Sequence, residues 1–313
     1  MKILKFGILL TACAQPVFGC DLCAVYSAVE ARAGKGLYAG VAEQYTHFGT
    51  LQENGHSVAN PVGQYLDSSI SQLLAGYNVN KRFGVQLNVP LIYRTFKRPE
   101  GLAVQRGTES GLGDITLLGR YFIAQHLAED STFTWNVLSG IKFPTGSTSR
   151  LKEELNEVEV PGAPESGIHG HDLTLGSGSY DGILGTAFYA RWQKLFFSAS
   201  AQYSVRSEGD YDYQFANDLT WSGGPGVILL LNDSFTLAAQ VNVSGETKGR
   251  DTFQGEKADD TGITSVYLGP ELTATWSEKL SAEIGIDLPL SLDNTALQAV
   301  PDYRFHAGMT WHF

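Results

Sequence analysis

Basic residues are scarce in this chain. Of 313 residues only 22 are Lys or Arg, against 33 Asp or Glu, which leaves a formal net charge of −11 and a pI near 5.1. So acidic a surface cannot displace the counterions of a nucleic acid, so nucleic-acid binding is excluded. Long apolar runs are missing too. No segment offers about 18 or more consecutive apolar residues, so no transmembrane helix is expected. Cysteine is confined to three positions. Neither a Gly-x-Ser-x-Gly elbow nor a His-Glu-x-x-His pair occurs, so hydrolytic chemistry has no recognisable motif.

What is present is apolar and rich in glycine: 43% hydrophobic residues, 35 glycines and only 18% charged residues. That composition excludes a disordered chain. A mean hydropathy of −0.10 suits a soluble protein, and equally a membrane barrel in which only alternate residues meet lipid. The first residues have signal-peptide grammar. Lys2 and Lys5 are positive, Ile3 to Leu10 are mainly apolar, and small residues follow at Ala12, Ala14 and Gly19. Cleavage is expected after Gly19. The alternative is lipoprotein processing at Cys20, against which Phe18 is a bulky neighbour.

Periodicity separates the soluble and membrane readings. Leu195, Phe197, Ala199, Ala201, Tyr203 and Val205 alternate with Phe196, Ser198, Ser200, Gln202, Ser204 and Arg206. Successive strand side chains point to opposite faces, so this segment has one apolar and one largely polar face. About twelve such segments follow one another, near 37–49, 67–79, 82–96, 112–124, 132–144, 178–192, 195–206, 213–231, 235–246, 262–276, 280–291 and 301–313. Most reach the roughly 10 residues that a tilted strand needs to cross a bilayer. Gly223-Gly224-Pro225 interrupts the eighth. The connections alternate. Long polar loops at 50–66, 97–111, 145–177 and 247–261 face tight turns at Asn80-Lys81, Gln193-Lys194, Asn232-Asp233-Ser234 and Ser277-Glu278-Lys279. Long loops on one side and short turns on the other mark an outer-membrane barrel. The chain ends on Phe313 within an aromatic alternating strand, which resembles the terminal signal read by barrel-assembly machinery. The expected fold is therefore all-β: a transmembrane antiparallel up-and-down β-barrel of about 12 strands at 37–313, in the Gram-negative outer membrane and in contact with its lipid. It follows a signal peptide (1–19) and a periplasmic segment (20–36).

The face opposite the apolar stripe carries charge: Asp114, Arg120, Lys142, Arg191, Arg206, Glu271, Glu283, Asp287, Arg304 and His306. In a soluble core each would cost several kcal/mol unless paired; in a barrel they line a lumen or pair across it. Cys20 and Cys23 form a CxxC without the following His of c-type haem attachment, and no thioredoxin-like βαβ unit surrounds them. A local disulfide or lipidation, then metal binding or contact with a periplasmic redox partner, are the readings left open. His169-Gly170-His171-Asp172 lies in the longest loop beside Glu153, Glu154, Glu157 and Glu159; a solvated, flexible outer loop is expected there rather than a cation site.

Several phrases resemble the outer-membrane family grouped under the MetA pathway of phenol degradation. They are Gly111-Leu112-Gly113-Asp114, Gly140-Ile141-Lys142-Phe143-Pro144-Thr145-Gly146, Leu175-Gly176-Ser177-Gly178-Ser179-Tyr180-Asp181 and Gly269-Pro270-Glu271. The resemblance covers roughly 66–313 and implies a barrel among outer-membrane transporters. The expectation is passive passage of small solutes through a charge-lined lumen gated by the longest loop, with no cofactor, no metal and no catalysis. The alternatives are a structural or electron-conduit barrel that holds a partner at its CxxC, and a surface lipid-modifying enzyme.

Overall fold

Residues 35–155, 160–277 and 279–313 are described in the computed structural model. The expected signal peptide, Cys20 and Cys23 lie outside them. Twelve strands form the wall: β1 (Gly36–Glu53), β2 (Tyr65–Asn78), β3 (Phe83–Glu100), β4 (Ile115–Leu127), β5 (Ser131–Phe143), β6 (Asp181–Trp192), β7 (Leu195–Val205), β8 (Asp218–Leu231), β9 (Phe235–Lys248), β10 (Ile263–Trp276), β11 (Leu280–Asn294) and β12 (Leu297–His312). Each pairs antiparallel with its neighbours in sequence. β1 pairs with β12 from Tyr38↔His312 to Glu53↔Leu297, which closes the sheet on itself. Phe313 N donates to Leu37 O at 2.9 Å, so the strand ends meet on the short-turn side.

The alternation is inside-out compared with a soluble protein. Val41, Leu73, Leu87, Leu117, Ile141, Leu184, Val241, Leu272 and Leu288 are exposed on the outer face. Gln44, Gln72, Gln86, Asn88, Asn136, Gln202, Gln240 and Asn242 are buried on the inner face. Phe83, Trp135, Trp192, Trp276, Trp311 and Phe313 are exposed near the short turns, and Tyr93 and Tyr180 near the long loops. Rings of this kind sit at the two membrane interfaces.

Three expectations change. Residues 97–111 are not a loop: β3 runs on to Glu100, and Ala103–Leu112 folds back on its upper half, from Leu91↔Leu112 to Glu100↔Ala103. Thr95, Lys97, Arg106 and Thr108 hide that pairing, because a strand above the membrane has no lipid to demand an apolar face. The eighth strand begins at Asp218 rather than 213, since Tyr213-Gln214 pairs with Thr252-Phe253 in a small separate sheet. Gly223-Gly224-Pro225 does not interrupt it. Gly224 and Pro225 keep register with Ser198 and Phe197 of β7, and only the β9 ladder skips them. Proline lacks an N–H, so it fits where one ladder is already broken.

One stretch of the outer face is polar. Glu43 accepts hydrogen bonds from the Ser69 and Ser71 hydroxyls, all three on the lipid side of β1 and β2. Glu43 lies about 15 Å up the barrel from Leu37, at ~3.3 Å per residue and a tilt of ~40°, near the middle of an apolar band roughly 25 Å tall. A carboxylate at that depth costs free energy. Glu43→Leu is therefore expected to raise the temperature at which the folded barrel loses its compact gel migration; a lowered temperature would show that the serine contacts hold the wall together instead.

Candidate functional site

Charged side chains meet at the outer rim because five strand ends, those of β4 to β8, converge there. Lys142 near the end of β5 lies between two carboxylates, with Nζ 3.2 Å from Asp114 Oδ2 and 2.6 Å from Asp181 Oδ2. Arg206, just after β7, reaches Asp181 at 2.9 Å and Asp218 at 2.7 Å. All five groups are buried. Three acids face two bases, and neutral donors supply the balance. Asp114 accepts from Gly146 N (2.9 Å) and from Ser177 N and Oγ (both 2.8 Å). Asp181 accepts from Ser179 Oγ at 2.8 Å and Ser207 N at 3.1 Å. These donors belong to the loops, so the ion chain fixes where the loops leave the wall.

The other inward charges divide by height. Arg191 holds the Gln193 and Glu129 carbonyls at 2.9 and 3.0 Å, and so clamps two short turns. Arg120 donates to Asn78 Oδ1 at 2.6 Å and lies 4.6 Å over the Phe122 ring. Glu271, Glu283, Asp287, Arg304 and His306 are buried on β10 to β12. His306 Nδ1 is 3.7 Å from Asp287 Oδ2, and the Arg304 guanidinium lies 4.3 Å over the Tyr267 ring. The ten charges singled out from the sequence thus form separate groups rather than one site. Asp181 and Asp218 were missed although Asp181 shares the parity of Arg191. Arg94 was missed although it shares the parity of Gln86 and Asn88.

The longest loop is not the solvated outer loop expected from its charge. Its described parts, 144–155 and 160–180, pack into the outer mouth as an insert. Ile168 and Leu173 are buried against Leu66 and Phe96, with Phe48 and Ala299 beside them. Leu151 joins Tyr213 and Phe215. Backbone contacts hold it from both sides: Ala299 N donates to Gly167 O at 2.7 Å, and Gln64 bonds Glu165 O at 2.9 Å and Gly167 N at 3.0 Å. Arg94 and Arg98 donate to the Thr174 and Ile168 carbonyls. The apolar residues were too sparse in sequence, at 151, 168, 173 and 175, to show a period; their burial depends on residues about 60 to 130 positions away. Among the described residues no group of three or more His, Cys, Asp or Glu is placed to hold a metal. Glu157 and Glu159 lie outside the described residues.

His171 locks the insert to itself. Its ring stacks between His169 (centroids 5.6 Å) and Tyr213 (6.2 Å), and its Nδ1 is 3.0 Å from Glu154 Oε1, which also accepts His171 N at 2.7 Å. Burial opposes a charge on His171, but Asp172, Glu154 and Asp260 outweigh it and hold the imidazole well above its ordinary value. Burial likewise opposes ionisation of Glu154, and the charge and hydrogen bonds of His171, with His169, overcome it and pull the carboxyl down to about 2. Between this insert and the β9–β12 wall lies a cavity of about 80 Å³, lined by Arg94, Lys248 and Arg304, by Asp172, Glu246 and Asp260, and by apolar side chains including Phe48, Leu66, Ile168 and Ile263.

A closed twelve-strand antiparallel barrel, apolar outside with aromatic edges and polar within, defines the class: this is an outer-membrane β-barrel protein. No family profile and no curated sequence matches the chain. Solved structures do. An outer membrane channel from Pseudomonas putida F1 superposes with a TM-score of 0.61 at 16% identity, over 90% of this chain and 97% of that one. A Pseudomonas aeruginosa FadL homologue (TM-score 0.40, 10% identity, 96% of each chain) and the NanC porin (0.39, 12%, 88% of this chain and 100% of that one) match too loosely to bear on function.

Two predictions follow from these contacts. Lys142→Met leaves Asp114 and Asp181 buried with one cation fewer, so it should lower the unfolding free energy in lipid vesicles by about 3 kcal/mol or more, measured by urea titration; a loss below about 1 kcal/mol would show that the serine and backbone donors suffice. The second concerns pH. The folded value of His171 is raised, so its contribution is full below the ordinary 6.5 and is lost as pH rises through the raised value. Glu154 is depressed, so its contribution is full above the ordinary 4.5 and is lost as pH falls towards about 2. Amide exchange at residues 165–175 should therefore be much faster in H171Q than in the unaltered protein at about pH 6, with the ratio shrinking by about pH 10. A ratio that does not change with pH means the pair holds nothing.

Proposed function

We propose that this barrel is a passive channel for small solutes, with the 144–180 insert as the constriction and gate of its outer mouth. The observation that carries the reading is the packing of that insert: Ile168 and Leu173 are buried inside the mouth, and the lock at His171 and Glu154 joins the insert's own segments. Twelve strands enclose an interior between the side-chain-filled barrel of eight and the open pore of sixteen or more, so a single folded-in loop suffices to narrow it. The inward charges, from Asp114 and Lys142 at the rim to Glu271, Asp287 and Arg304 further down, then set the local field that a passing solute meets. The resemblance to the MetA-pathway transporter group supports this reading, as does the likeness to the P. putida channel's fold. Small solutes on the outer side are the partners it needs.

Single-channel conductance in a planar bilayer tests it, comparing the full chain with one in which residues 148–173 are replaced by a short Gly-Ser linker. That variant keeps the Gly146 and Ser177 contacts to Asp114. Steady conductance that rises when the insert is removed is the expected result. Absence of conductance in both refolded proteins would falsify the channel.

A further inference from the structure

Arg94 is the largest fully buried side chain in the structure, at 0% exposure. Its Nε donates to Ser68 Oγ at 3.3 Å, its Nη1 to the Thr174 carbonyl, and its Nη2 has no partner. No carboxylate among the described residues forms an ion pair with it. The cations around it differ: Arg98 pairs with Glu153, Arg150 with Glu109 and Glu153, and Lys248 with Asp251. A guanidinium stays charged at every accessible pH. Buried without a counter-charge it costs several kcal/mol, and two neutral oxygens offset only part of that. Arg94 also lines the cavity under the insert. A guanidinium so placed suits the recognition of an anion.

The remaining lining narrows the anion. Leu66, Ile168, Ile263 and Pro301 give the cavity apolar walls, and its volume of about 80 Å³ admits only a small molecule. Lys248, Arg304 and the protonated His171 line the same space as Arg94, against Asp172, Glu246 and Asp260, so the positive surplus is a single charge, which a singly charged anion balances and a multiply charged one such as phosphate overshoots. A single carboxylate placed on Arg94, with a short apolar body against Leu66 and Ile168, satisfies both requirements. We propose that this cavity is a binding subsite for small organic monocarboxylates, with Arg94 as the partner of the carboxylate. It deepens the channel reading and rests on it for the onward passage of the solute, but not for the binding itself.

Calorimetric titration of the folded barrel in detergent with pentanoate, pentan-1-ol and pentylamine tests the subsite. Pentanoate is expected to bind, the alcohol to bind roughly tenfold or more weakly than it, and the amine least of all. Arg94→Met, checked for folding by the heat-dependent gel shift, is expected to weaken pentanoate binding by a similar factor and leave the alcohol unchanged. Should the variant not fold, the comparison of the three ligands on the unaltered protein still decides. The proposal is overturned if pentanoate does not bind, if the alcohol or amine binds as tightly, or if folded R94M binds pentanoate as the unaltered protein does. Bilayer conductance separates the two readings. Pentanoate binding without conductance keeps the subsite and removes the channel; conductance without pentanoate binding keeps the channel and removes the subsite.

Discussion

In hydrocarbon a backbone N–H or C=O has no water to turn to, so every one must find a partner within the protein. A sheet meets that demand only by closing, and here closure is the β1–β12 ladder running from Tyr38↔His312 to Glu53↔Leu297. Everything else is arranged around that seam. Closure gives an inside and an outside, which makes the alternation of Leu73 with Gln72, or Val241 with Gln240, a matter of lipid against interior. It also brings Gly36 and Phe313 to one edge, and so determines which loops face outward and which turns lie beneath.

Once the wall is closed, the interior has a surplus of polar groups, most of them buried against one another. The protein answers differently at different heights. Near the short turns, Arg191 and Arg120 are spent on carbonyl and amide oxygens. At the outer rim, Lys142 and Arg206 string Asp114, Asp181 and Asp218 into one chain, with loop serines and backbone N–H groups satisfying the remaining lone pairs. That chain is a structural anchor for the insert as much as it is a charged surface, because Gly146 and Ser177 enter and leave the insert on Asp114 itself. The insert is thus anchored at both ends on buried ion pairs. Between them it is held by the buried side chains of Leu151, Ile168, Leu173 and Leu175, the His171–Glu154 pair, the Arg98–Glu153 and Arg150–Glu109 ion pairs and a few carbonyl contacts.

Arg94, like Arg120 and Arg191, meets neutral oxygens rather than a carboxylate, but unlike them it borders the cavity under the insert. Its neighbours on β3 are paired, with Gln86 and Asn88 bonded to each other and Arg98 bonded to Glu153. A buried group short of a partner calls for a physical reason. A cavity beside such a group, closed above by a segment held by titratable side chains, is suited to a transient ligand.

The strand count, the segment positions and the two faces were legible in the amino-acid order. A period of two is a local property, and lipid enforces it residue by residue over each crossing. Legibility stopped where lipid stops. Above the membrane the Ala103–Leu112 strand carries no apolar stripe, and the insert's buried residues are too widely spaced to show one, so both read as polar loop. The side of each charge was likewise legible by parity, for Asp114 and Arg304 and in principle for Arg94. Whether a charge is paired was not. Lys142 meets Asp181, and Arg94 meets no carboxylate, because of how distant strands and one folded loop converge. The sequence alone therefore determined an outer-membrane barrel with a charged interior. Only the tertiary structure decided that its longest loop fills the mouth, that its rim charges form one chain, and that one buried cation is left facing a cavity. Pairing and burial between residues far apart in the chain depend on closure, and no local pattern records them.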